Sequence, residues 1–114
     1  MSSNPADDLL EVTATDDTLI VGLRFDRLDD STSQSLSGRL LRLVDQSEEN
    51  EMHLDLGQVG FITSTGLGLF IALHKKLRDQ NRHLALFNVD ADVYEVFEVT
   101  HLHKLLDVRP ETAN

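Results

Sequence analysis

The chain has 114 residues, which fits one domain, and 40% of them are hydrophobic, enough for an ordinary small core and far from the disordered class. It has no cysteine, which excludes disulfides, thiolate catalysis and cysteine-based metal sites. A net charge of −10, from 20 acidic against 10 basic residues, together with no Trp and one Tyr, argues against nucleic-acid binding by phosphate attraction or base stacking.

The first eight residues are polar and read as a tail. They lack the basic start and apolar stretch of a signal peptide, and no segment approaches a membrane span. A cytoplasmic protein without direct membrane insertion is expected. "LLEVTATDDTLIVGLRF" reads as two strands joined at Asp16-Asp17, with Leu19, Val21, Leu23 and Phe25 alternating against Ile20, Gly22 and Arg24. "DDSTSQSLSGRLLRLVDQSEEN" then takes a helical period through Leu36, Leu40, Leu43 and Val44, with Ser31 or Asp30 as its cap.

"EMHLDLGQV" is a short strand carrying Met52, Leu54 and Leu56 on one face, and the strand is expected to run to about Phe61-Ile62. "GLGLFIALHKKLRDQN" is a helix, apolar in its first half, whose cations His74, Lys75, Lys76 and Arg78 fall at the end where they suit the dipole. "HLALF" is a buried strand, and "DADVYEVFEVT" a helix capped by Asp90. "HKLLDV" reads as a last strand. Strands alternating with helices predict parallel pairing, and the opening hairpin makes the sheet mixed. The expected fold is α/β: a single mixed β-sheet with an N-terminal hairpin and helices packed on one face. The domain is expected over 9–108, followed by a tail over 109–114.

The segment "GFITSTGLGLF" places three hydroxyls, Thr63, Ser64 and Thr65, where a strand hands over to a helix. A helix start offers free N–H groups and partial positive charge. A serine there serves as a cap, as a nucleophile, or as an acceptor of phosphate whose oxygens would lie against those N–H groups. Gly66 and Gly68 would let another molecule come close. The Walker pattern is absent, because Leu67 follows Gly66, and so is a G-x-S-x-G elbow. A serine triad would need His53, His74 or His83 beside Ser64, and His101-x-His103 comes without an accompanying ligand pattern. No catalytic residue, metal or cofactor is therefore expected, and the chain is not read as an enzyme.

"LDLGQVGFITSTGLGLFIALHKKL" resembles the central segment of STAS domains, the family of bacterial anti-sigma factor antagonists, in which an apolar strand is followed by Asp-Ser-Ser/Thr-Gly, Leu-Gly and an apolar helix. "RLDDSTSQSL" is similar to the family's Glu-Leu-Asp-x-x-Thr-Ala-x-x-Leu, with Leu28, Asp29, Thr32 and Leu36 in register. "HLALFNVDADVYEVFEVTHLHKLLDV" is similar to the family's following strand, third helix and closing region, so the resemblance runs from about Leu9 to Val108.

The resemblance implies a partner switch. The unphosphorylated protein would bind an anti-sigma factor that is also a serine kinase. The kinase would phosphorylate the serine after the motif aspartate, and a PP2C-type phosphatase would remove the phosphate. Carried over by position, Ser64 matches the phosphoacceptor and Asp29 the loop aspartate. Thr65, Gly66 and Gly68 match motif positions. Thr63, Thr65, Gly66, Leu67 and Gly68 join Asp29 as expected partner-binding residues, with Leu67 at the exposed edge of the helix and Phe70 at its buried edge. Two departures stand out: Thr63 replaces the motif aspartate, and Asp26-Arg27 replaces Gly-Glu. The alternative is an unphosphorylated STAS scaffold subunit of a stress-signalling complex or a lipid-transport ATPase.

Overall fold

The computed structural model describes residues 9–111, so the expected tail over 1–8 and the last three residues lie outside the described residues. β1 (Leu10–Thr15) and β2 (Thr18–Leu23) form an antiparallel hairpin. Asp16 turns it with a left-handed backbone (φ 48), a conformation that Asp tolerates better than most residues. Asp17 then receives the Asn50 backbone N–H at 3.0 Å and the Asn50 side-chain amide at 2.7 Å. These bonds from Asn50 hold the Asp17 carboxyl below its ordinary pKa.

After the hairpin come β3 (Arg27–Leu28), α1 (Asp30–Gln46), β4 (Glu51–Asp55), β5 (Phe61–Ile62), α2 (Ser64–Asp79), β6 (His83–Val89), α3 (Ala91–Val99) and β7 (Asp107–Pro110). The main sheet has the order β1-β2-β4-β6-β7, parallel from β2 onward. It is the expected mixed sheet. Leu19, Val21, Leu23, Met52, Leu54, Leu84 and Leu86 point to its covered face and are almost fully buried. The helices meet them with Leu36, Leu40, Val44, Phe70, Leu73, Leu77 and Phe97, each fully buried. Burying one such side chain contributes about 1.5–3 kcal/mol. Ile20, His53 and Phe87 lie on the opposite face, which keeps partial exposure.

Three details differ from the sequence reading. The cap of α1 is Asp29, whose Oδ1 accepts the Thr32 N–H at 3.0 Å, rather than Ser31 or Asp30. The strand expected to run through to Ile62 is two strands, β4 and β5. β5 leaves the main sheet and pairs with β3 in a two-residue parallel ladder, Arg27 opposite Phe61 and Leu28 opposite Ile62. The expected last strand also shifts toward the C-terminus: His101 adopts a left-handed backbone (φ 62), Leu102–Lys104 form a 3-10 turn, and pairing begins only at Asp107. Asp90 caps α3 as expected, accepting the Asp92 N–H at 3.1 Å.

At the edge of the sheet where β4 and β6 begin, Arg82 joins two loops. Its guanidinium donates to the carbonyls of Glu49 (2.6 Å) and Val44 (2.8 Å) and to Ser47 Oγ (2.8 Å). This ties the end of α1 to the turn that follows α2.

Candidate functional site

The β3–β5 ladder brings the starts of α1 and α2 side by side. Asp26 O accepts the N–H groups of Gly60 and Phe61 at 2.8 and 3.2 Å, and Leu28 O accepts the Thr63 N–H at 3.1 Å. The Asp29-Asp30 loop therefore lies against the turn carrying Thr63 and Ser64. Asp29 is spent on its own helix, and the bonds from Thr32, reinforced by Arg27, keep its carboxyl below the usual range.

Ser64 is the first residue of α2 and is exposed, as is Thr65. Thr63 holds the cap position in extended backbone (φ −101, ψ 172), and its carbonyl accepts the first helical bond, from the Leu67 N–H at 3.0 Å. Its side chain makes no capping bond. The Thr63 hydroxyl instead donates to Asp30 Oδ1 at 3.0 Å, with a longer 3.5 Å contact to Leu28 O. Helix α2 thus starts without a side-chain acceptor, whereas α1 and α3 both have one. Uncapped N–H groups beside an exposed hydroxyl suit an anion carried on that hydroxyl.

The two glycines divide. Gly66 is buried, and a Cβ there would lie 2.9 Å from Leu28 Cγ and 3.0 Å from Ile62 Cγ1. Its missing side chain serves close packing of α2 under the ladder rather than the approach of another molecule. Gly68 is exposed with nothing within 4 Å of a built Cβ. Leu67 departs from expectation: it is only 7% exposed and Phe70 is fully buried, so both belong to the core. Position 67 lies on the same side of the helix as Phe70, three residues on, and that side faces the sheet.

The histidines are not gathered at Ser64. His53 bonds Glu51 at 3.1 Å and His83 bonds Asp107 at 2.8 Å. His74 lies ten residues along α2, about 15 Å away by helical rise. Burial, helped by Arg78 and His83, lowers its pKa. Among the described residues there is no group of three or more His, Cys, Asp or Glu able to hold a metal, and no helix is long and apolar enough to cross a membrane.

Sequence reasoning missed two neighbours of the site. Asp30 was legible only as a cap candidate, yet its carboxylate contacts Thr63 from another helix. Phe61 is 39% exposed, with the Arg27 guanidinium 4.0 Å from its ring centroid. The polar-to-apolar alternation of a two-residue strand is too short a signal to reveal it.

The family model for the STAS domain matches residues 10–114. The anti-sigma-B factor antagonist of Listeria monocytogenes is 33% identical over 58 residues, which cover 51% of this chain and 51% of that protein. The chain thus spans about half the length of the curated relatives it matches first. An anti-sigma-factor antagonist (STAS) domain protein from Planctomyces limnophilus has a TM-score of 0.81 at 21% identity, covering 90% of this chain and 91% of that one. The Bacillus cell fate determinant SpoIIAA in its phosphorylated form has a TM-score of 0.66 at 18% identity, covering 87% and 89%. At these identities the solved structures establish the shared fold.

Proposed function

Because the chain belongs to the STAS domain family, we propose that it is an anti-sigma factor antagonist acting as a partner switch, which docks on an anti-sigma factor serine kinase while Ser64 carries no phosphate. The observation that carries this reading is the exposed Ser64 hydroxyl at a helix start whose N–H groups have no side-chain cap. The relatives named as anti-sigma-B factor antagonists support it.

In the proposed step, Ser64 Oγ attacks the γ-phosphorus of ATP held by the kinase. The new Oγ–P bond forms as the P–O bond to ADP breaks, and the serine proton leaves to a base on the kinase. The product gains about −1.5 to −2 of charge. That charge lies beside Asp29 and Asp30, on a chain whose net charge is already −10. It opposes any acidic or phosphate-bearing partner surface, and release follows. A PP2C-type phosphatase would return Ser64 to the hydroxyl by hydrolysis. Asp29, Thr63, Thr65 and Gly68 would form the docking rim, with exposed Phe61 beside them, while Gly66 and Leu67 hold the helix in place from below. Such a switch would work in the cytoplasm and needs neither cofactor nor nucleic acid.

The test is incubation with a purified anti-sigma factor serine kinase from the same organism and Mg-ATP, followed by intact mass and site mapping. One phosphate, at Ser64, is expected. Ser64→Ala should keep partner affinity and Ser64→Asp should weaken it; equal affinities in titration would refute the switch. Thr63 in place of the motif aspartate favours the second reading, a scaffold subunit. A stable complex without phosphate would select it.

A further inference from the structure

We propose that Asp30 is a positioning residue for the phosphate on Ser64 and that it acts through Thr63, holding the Thr63 hydroxyl so that the first N–H groups of α2 stay open to phosphoryl oxygens. This rests on the reading of Ser64 as the phosphoacceptor.

Threonine is a good N-cap, and the Thr63 backbone already has the extended conformation that a cap uses. Left alone, its side-chain oxygen would accept from the N–H of the second or third helical residue, Thr65 or Gly66. The same N–H groups are the ones a phosphate on Ser64 would need. The structure resolves this competition in one direction: the hydroxyl points across to α1 and donates to Asp30 Oδ1 at 3.0 Å. The acceptor is a carboxylate, so the bond is charge-assisted and stronger than a neutral one. Asp29 is engaged elsewhere: its Oδ1 is bonded to the Thr32 N–H and its Oδ2 lies 4.0 Å from Arg27 Nε.

Asp30 touches neither the attacking oxygen nor ATP, so its role has a particular genetic signature. Asp30→Ala leaves the Thr63 hydroxyl only its long 3.5 Å contact to Leu28 O, too weak to keep it from capping α2, and the phosphoserine must then displace that cap. Initial rates of Ser64 phosphorylation by the same kinase with Mg-ATP should fall about fivefold, the equivalent of one N-cap bond. Asp30→Asn keeps an acceptor for Thr63 and should retain the wild-type rate. Thr63→Ala has no hydroxyl to cap with, and the Asp30→Ala/Thr63→Ala double variant should recover the wild-type rate. A simple structural role for Asp30 predicts no such recovery. An Asp30→Ala rate equal to wild type, or a double variant as slow as Asp30→Ala, overturns the inference and leaves the Ser64 switch standing. A wild-type chain that takes no phosphate overturns the switch, and this inference falls with it.

Discussion

Replacing Gly66 with alanine tests whether α2 is pressed against the β3–β5 ladder as closely as the geometry requires. The added Cβ would meet Leu28 Cγ at 2.9 Å, and Ile62 Cγ1 and Leu28 Cδ2 at 3.0 Å each. Leu28 is fully buried and Ile62 only 8% exposed. One of the three, Leu28 Cγ, is a branch point, and all belong to side chains packed in the core, so relief requires Leu28 and Ile62 to shift against their neighbours. Overpacking of this kind costs about 1–3 kcal/mol. Alanine recovers about 1 kcal/mol of helix propensity, so the net loss should be up to about 2 kcal/mol. For a domain of this size each 1 kcal/mol lost lowers Tm by roughly 4 °C. Urea unfolding at constant m-value measures the loss. Gly68→Ala is the matched control: with open space around its Cβ it should stabilise by about 0.5–1 kcal/mol while weakening partner docking. Equal stability of the two alanine variants would refute the packing argument.

Leu67→Ala should cost about 2–5 kcal/mol in the same assay, because it empties a buried position; a loss below about 0.5 kcal/mol would return Leu67 to the surface. Asp107 gives a pH prediction. Hydrogen bonds from Arg109 and His83 lower its pKa from 3.8 to about 2 in the fold, against the cost of burial. A depressed carboxylate contributes stability that is fully present above 3.8 and is lost as pH falls through about 2. Asp107→Asn should therefore flatten the stability–pH curve between those values. An unchanged slope in acid titration would show that the pair with Arg109 is formed equally in the unfolded chain.

The parts of the fold that were legible in sequence are those with a sustained period. The alternation around Leu19, Val21 and Leu23 and the helical spacing of Leu36, Leu40 and Val44 each repeat often enough to fix a face. β3 and β5 have two residues each, fewer than one full alternation, and their pairing is a tertiary fact. The α1 cap was misplaced because Asp29, Asp30 and Ser31 are all good caps, and only backbone geometry chooses among them. Leu67 was placed outward because the first half of α2 is apolar on nearly every side, leaving no polar stripe to mark solvent. Ser64 and its helix start were legible from the hydroxyl cluster and the family-like motif. The bond between Thr63 and Asp30 was not, since 33 residues separate the partners and neither has a local pattern that announces the other.

The Arg82 joint has a mechanical consequence. α2 runs opposite to the parallel strands, so its end lies at the sheet edge where Arg82 binds Glu49, Val44 and Ser47 and where Asp17 grips Asn50. Its beginning is held by apolar packing of Leu67 and Phe70, and its polar ties there are the two-residue β3–β5 ladder and a hydroxyl–carboxylate bond. The helix thus has a polar clamp at its far end and a mainly apolar seat at its near one. A charge placed on Ser64 would fall at the end whose polar ties are few, far from the Arg82 clamp.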